Sequence, residues 1–206
     1  FVGGETLQGT KTVAENLKKY GIGIIFDYGA EGKESEIDFD NAKDEFINVI
    51  NHAANPETTN LIAVKITALA RFALLEKLNT TSTLTAEAAT INTDQLTTPE
   101  KQEWDKVVER LVDLCKLASQ KNVGILIDAE ESWIQDTIDA ITMQLMQVYN
   151  KNRVVLFNTV QLYRHDRLEF LKLSHAMALK NDFILGVKIV RGAYMEKERK
   201  RAESIQ

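Results

Sequence analysis

The side chains of this sequence best suited to chemistry fall late in five short apolar runs. Asp27 comes near the end of GIGIIFDY (Gly21–Tyr28), and Lys65 and Thr67 end LIAVKIT (Leu61–Thr67). Asp128 and Glu130 end VGILIDAE (Val123–Glu130), Thr159 and Gln161 end RVVLFNTVQ (Arg153–Gln161), and Lys188 lies in FILGVKIVR (Phe183–Arg191). Isolated buried charges are expensive, so these lysines and carboxylates must pair with one another or meet a ligand. Grouped around one cavity, they suit an anionic substrate or cofactor. A lysine there could also form a Schiff base with a carbonyl. Position alone leaves both uses open, as well as an ion-pair network with only a structural role.

The elements that would position these groups follow from the patterning. Each run is rich in Ile and Val, and its apolar part is nearly continuous, the mark of a strand covered on both faces. Helical periodicity lies between the runs. Phe39, Ala42, Phe46, Val49 and Ile50 make one stripe, and Ile134, Ile138, Ile141, Leu145 and Val148 a second. Leu168, Leu171, His175 and Leu179 make a third, on a helix expected over Arg164–Lys180. Strands alternating with helices predict βαβ units and a parallel sheet. Residues 68–122 are too long for one crossover and predict a helical insertion, with helices near Ala68–Leu78 and Thr98–Gln120 and a surface excursion over Asn79–Leu96. Thr98-Pro99-Glu100 is a helix start signal.

Strand side chains alternate faces. One parity holds Gly23, Ile25 and Asp27; Ala63, Lys65 and Thr67; Leu126, Asp128 and Glu130; Phe157, Thr159 and Gln161; and Lys188, Val190 and Gly192. The other parity, including Ile62, Val64, Ile125, Ile127, Leu156, Val187 and Ile189, is apolar until its last positions and should face helices. Polar groups on one parity at the carboxyl ends predict an α/β fold of the (βα)₈ TIM-barrel type, with about the first five βα units present. No GxGxxG follows the first run, which counts against a dinucleotide-binding sheet.

Composition narrows the function classes. The chain has 206 residues, 44% of them hydrophobic, and a net charge of −5 with acidic and basic residues interleaved, which argues against nucleic acid as a partner. No run reaches the roughly 18 apolar residues of a membrane span, and no signal peptide is visible. The single cysteine, Cys115, sits in a helical pattern and reads as a core thiol, consistent with a reducing, cytoplasmic setting. His52, His165 and His175 read as packing or surface residues, and no spacing makes a metal site. The chain begins at Phe1, which reads as a processed or partial product.

Five motifs in order, FDYGAEGK, VKITAL, IDAEESW, FNTVQLYRHDRL and GVKIVRGAYMEKER, resemble the proline dehydrogenase family of the monofunctional kind, and the resemblance covers essentially all of the chain. It implies a distorted (βα)₈ barrel that uses noncovalent FAD to oxidise L-proline to 1-pyrroline-5-carboxylate. Electrons would pass to a quinone-type acceptor at a membrane, the mitochondrial inner membrane in a eukaryote. Carried over residue by residue, it implies that Lys65 meets the substrate carboxylate, with Asp128 beside it and Tyr194 in the substrate pocket. It implies that Ala129, Gln161, Val190, Arg191, Gly192 and Ala193 contact FAD, and that Lys188 lies near flavin N5. Glu31 matches an acidic residue of the first loop. Met195 stands where some relatives have Trp. The family's closing βα units, with an arginine pair for the substrate carboxylate, have no counterpart before Gln206, so a remaining C-terminal segment is expected to complete the site. Two other readings stay open: a Schiff-base aldolase-type barrel using Lys65 or Lys188, and an inactive truncated remnant.

Overall fold

The computed structural model describes residues 6–29, 32–54 and 60–205. In chain order the elements are α1 (Leu7–Lys18), β1 (Phe26–Asp27), α2 (Glu36–Ala53), β2 (Leu61–Val64) and a 3₁₀ turn (Ile66–Ala68). Next come α3 (Phe72–Asn79), β3 (Ser82–Leu84), β4 (Ala89–Ile91), α4 (Thr98–Lys121) and β5 (Gly124–Ile127). The last are α5 (Ser132–Tyr149), β6 (Leu156–Gln161), α6 (Arg167–Lys180), β7 (Val187–Val190) and α7 (Met195–Ile205). Five strands form one parallel sheet in the order β1-β2-β5-β6-β7. The architecture is α/β, with helices in every crossover, because a parallel ladder cannot be closed by a tight hairpin.

The helix-facing parity builds the core. Ile62, Val64, Ile125, Ile127 and Leu156 join one apolar cluster with Phe46, Val49 and Ile50 of α2, Leu111 and Leu114 of α4, and Ile134 and Ile138 of α5. Cys115 is buried in the same cluster, and burial pushes its thiol up to about 12, so it packs as a small hydrophobe. Local signals set the helix starts. The Ser35 side chain caps α2, and Thr97 and Glu100 form a reciprocal capping box at α4, with Pro99 in the first turn. Asn122, in the left-handed region, ends α4 and turns the chain into β5.

Several elements depart from the expectations. The first strand is only Phe26–Asp27, because Gly21 (φ 70°) and Ile22 close the end of α1, Ile22 N–H donating to Leu17 O. The chain leaves β2 at Lys65 and winds into the 3₁₀ turn, so Thr67 is not in a strand. The excursion contains a hairpin, β3–β4, turned at Thr85, whose hydroxyl accepts from Glu87 and Ala88 N–H, and it packs on α5.

The third stripe is wrong in both start and face. α6 begins at Arg167 and buries Arg167, Ser174, Met177 and Ala178, leaving Leu168 66% exposed and Leu179 also in solvent. The helix mixes polar and apolar residues without one dominant apolar face, and Arg167 turns inward to reach Asp139. Val148 is likewise exposed at the end of α5. Ile189, expected against helices, is 57% exposed. The reason is that α7 runs to α5 instead of over β7: Glu198 binds the first turn of α5, and Lys197 pairs with Glu131.

Candidate active site

The register of the sheet assembles the polar parity. Ala63 pairs with Leu126, Leu126 with Phe157, and Thr159 with Lys188, so these residues lie in rows across the same face. Just past the ends of β2 and β5, Lys65 and Asp128 come within 4.0 Å. From the other side Lys188 of β7 donates directly to Asp128 Oδ1. One carboxylate thus lies between two ammonium groups, with Lys65 and Asp128 just past the ends of β2 and β5 and Lys188 within β7. All three side chains are mostly buried yet keep some solvent contact. Lys65, Asp128 and Lys188 were expected to converge, and they do.

A second layer lies two residues further along. Glu130, 2% exposed, accepts from Thr67 N–H (3.1 Å) and from the Thr67 hydroxyl. Its own backbone N–H donates to Gln135 Oε1 (2.7 Å), and its carbonyl accepts from Gln161 Nε2 (2.7 Å). Burial pushes the Glu130 carboxyl up to about 7; the Thr67 hydrogen bonds oppose that rise. Thr159, also on this face, donates to Ile127 O (2.7 Å). A cavity of about 350 Å³ opens here, lined by Thr67, Glu130, Glu131, Phe72, Tyr194 and Lys197, with Gly32, Lys33 and Glu34 at its rim.

The remaining expected residues divide. Gln161 is buried and tied to Glu130, Ala129 is buried beside Asp128, and Tyr194 reaches the cavity. Val190 lies half-buried on β7, while Arg191, Gly192 and Ala193 are exposed in the loop after it, at the same end of the sheet as Lys188. Glu31 lies outside the described residues. Asp27 is exposed at the edge of the sheet, where its neighbour Tyr28 packs edge-on to Phe46. His52 packs edge-on to Phe26, and His165 and His175 are exposed.

The sequence reading missed the support behind the site. Asp139 of α5 is buried and accepts from Gln135 (2.8 Å), Asn158 (2.9 Å) and Arg167 (2.7 Å). Burial raises the Asp139 carboxyl above its usual range, against the pull of Arg167. The pair therefore spends part of its attraction on desolvation. Because Gln135 also holds Glu130 N–H, the network reaches the site. The one signal was Gln135 and Asp139 at i and i+4, polar residues on a helix otherwise buried nearly all round. The rim contacts of α7 were also missed: Arg201 lies over the Trp133 ring, 4.3 Å from its centre.

Known proteins give this geometry its context. A family model described as proline dehydrogenase matches residues 10–206. The chain is 31% identical over 232 residues to a mitochondrial proline dehydrogenase 1 of Dictyostelium discoideum, covering 100% of this chain and 41% of that protein. It is 28% identical over 200 residues to the carbapenem antibiotics biosynthesis protein CarD of Pectobacterium carotovorum, covering 97% of this chain and 50% of the relative. The chain therefore spans half or less of the length of these relatives. Among solved structures, proline utilization A from Bdellovibrio bacteriovorus, inactivated by N-propargylglycine, superposes with a TM-score of 0.79 at 18% identity, over 99% of this chain and 21% of that one. That likeness speaks for the fold. The family match over almost the whole chain leads to one conclusion: the chain belongs to the proline dehydrogenase family.

Proposed function

We propose that this chain carries the N-terminal part of the catalytic barrel of an FAD-dependent proline dehydrogenase, which oxidises L-proline to 1-pyrroline-5-carboxylate and passes electrons to a quinone-type acceptor. The observation that carries the reading is one carboxylate, Asp128, placed between Lys65 and Lys188 at the strand ends. Lys65 binds the substrate carboxylate by a charge-assisted contact, next to the cavity that Thr67, Glu130 and Tyr194 line. Asp128 orients Lys65 and Lys188 at once and keeps them apart.

The residues at this end of the sheet fit a flavin dinucleotide. Lys188 provides a cation, Gln161 a buried amide, and Ala129, Gly192 and Ala193 surfaces without bulk that let a large cofactor approach the backbone. Val190 and Arg191 flank that contact. The flavin, when bound, accepts the electrons of proline oxidation, and a cation at Lys188 stabilises the charge gained on reduction. The aldolase-type alternative is not favoured, since the family model that matches the chain is that of proline dehydrogenase.

The five strands are the first part of a (βα)₈ barrel, and residues 68–122 are an insertion between its second and third strands. Further barrel units of the same protein would cover Ile189 and Leu168, both largely exposed, and add substrate-carboxylate contacts. The enzyme would work in the cytoplasm or peripherally on an inner membrane, that of the mitochondrion in a eukaryote; among the described residues no helix is long and apolar enough to cross one. The test is anaerobic stopped-flow reduction by L-proline of the full-length protein and its Lys188→Met variant. The variant should fold and bind flavin but reduce it at least about 100-fold more slowly, the scale of losing one preorganised charge contact. Reduction at the unmutated rate would remove Lys188 from this role.

A further inference from the structure

Glu130 stands apart from the three charged groups just assigned, yet each of its polar groups engages another element. Its carboxylate takes both donors of Thr67, on the 3₁₀ turn after β2. Its N–H is held by Gln135 of α5, and its carbonyl holds the Gln161 amide at the end of β6. Thr67 lies two residues beyond Lys65, and Glu130 two beyond Asp128. The Thr67–Glu130 pair is therefore the next layer above Lys65–Asp128, made by the same two chain segments. Asp128 N–H donates to Val64 O (2.9 Å) below the pair, and the Thr67–Glu130 clamp lies above it.

We propose that Glu130 is a positioning residue, which through Thr67 sets Lys65 against Asp128 and through its carbonyl fixes the amide of Gln161. This rests on the reading of Lys65 as the carboxylate-binding group. A carboxylate suits the task because it accepts from the N–H and the hydroxyl of Thr67 together. A glutamine of the same shape can accept from the N–H and donate to the hydroxyl oxygen, so it should preserve the clamp. Alanine cannot, and Thr67→Val removes the hydroxyl half from the other side at constant volume.

The test uses the full-length flavoprotein and two ligands: L-proline, for steady-state kinetics, and cyclopentanecarboxylate, a ring carboxylate with no amine to oxidise, whose dissociation constant is read by calorimetry. Glu130→Ala and Thr67→Val should each weaken cyclopentanecarboxylate about tenfold and raise KM for L-proline similarly, with kcat changed by less than about threefold, the pattern of lost ground-state binding. The double variant should be no worse than Glu130→Ala, because the two residues act as one unit. Glu130→Gln should stay within about twofold of wild type, the conservative rescue expected of a preserved clamp. Should Glu130→Ala fail to fold, Thr67→Val against Glu130→Gln carries the comparison. A wild-type protein that binds both ligands, with Thr67→Val unchanged, would overturn this proposal alone. A wild-type protein that binds neither would overturn the functional reading with it.

Discussion

Removing Asp139 tests whether the site rests on the buried network beneath it. The Asp139 carboxylate takes three hydrogen bonds, from Gln135, Asn158 and Arg167, at 2.7 to 2.9 Å. Asp139→Ala leaves the Arg167 guanidinium buried without that partner, and orphans two amide groups. Breaking a buried pair from one side typically costs about 3–5 kcal/mol. Arg167 keeps its bond to the partly exposed Asp166, which places the expected loss near the low end, about 3 kcal/mol. Asp139→Asn keeps Oδ1 as the acceptor for Gln135 and Asn158 but puts an NH2 donor where Oδ2 accepted from Arg167, so it should cost less than alanine only because the two amides stay paired. The assay is urea unfolding of the full-length protein. With slopes of about 1–3 kcal/mol/M, the alanine variant should lower the midpoint by roughly 1–3 M, and the asparagine variant by less. Two midpoints within about 0.2 M of wild type, at an unchanged slope, would refute the reasoning.

Three further outcomes follow from other features. Glu130 ionises at about 7 in the fold but at about 4.5 in the open chain, so its raised value favours the fold below pH 4.5 and that advantage is lost as pH rises through 7. Glu130→Gln should therefore be up to about 3 kcal/mol less sensitive to that rise, and unfolding curves at about pH 5 and pH 8 with equal pH dependence in both proteins would contradict it. Gly186→Ala places a Cβ 2.2 Å from Leu156 O and 2.6 Å from Val154 Cγ1. It should force β6 and β7 apart, break the Asn158 N–H to Gly186 O bond, and lower Tm by at least about 4 °C; an unchanged Tm would show that the strands adjust freely. The 206-residue chain expressed alone, with β1 and β7 as open edges, should hold FAD poorly, and stoichiometric flavin on a monomer of this chain would refute that.

Much of this could be read from the residues because two local rules held. Period-two alternation put Lys65, Asp128 and Lys188 on one parity, and the parallel register turned parity into contact. The apolar stripe from Ile134 marked α5, and the Thr98-Pro99-Glu100 signal lay one residue from the true cap of α4, which is Thr97. The failures have equally local causes. Gly21–Ile25 looks like strand, but a left-handed glycine commits it to closing α1. α6 has no single apolar face, and the side it buries includes Arg167, which reaches a partner in another helix. The hairpin was hidden by Thr-rich composition, although Thr83 and Thr90 pair across it through their hydroxyls at 2.7 Å. The Gln135–Asp139–Asn158–Arg167 network spans two helices and a strand, and no single stretch of sequence contains it.

The most direct test of the central claim is the visible spectrum of the purified full-length protein, recorded before and after anaerobic addition of L-proline. The account predicts an oxidised flavin spectrum that L-proline bleaches, and bleaching that Lys188→Met slows by at least about 100-fold. A protein that carries no flavin, or whose flavin stays oxidised in L-proline, would contradict it.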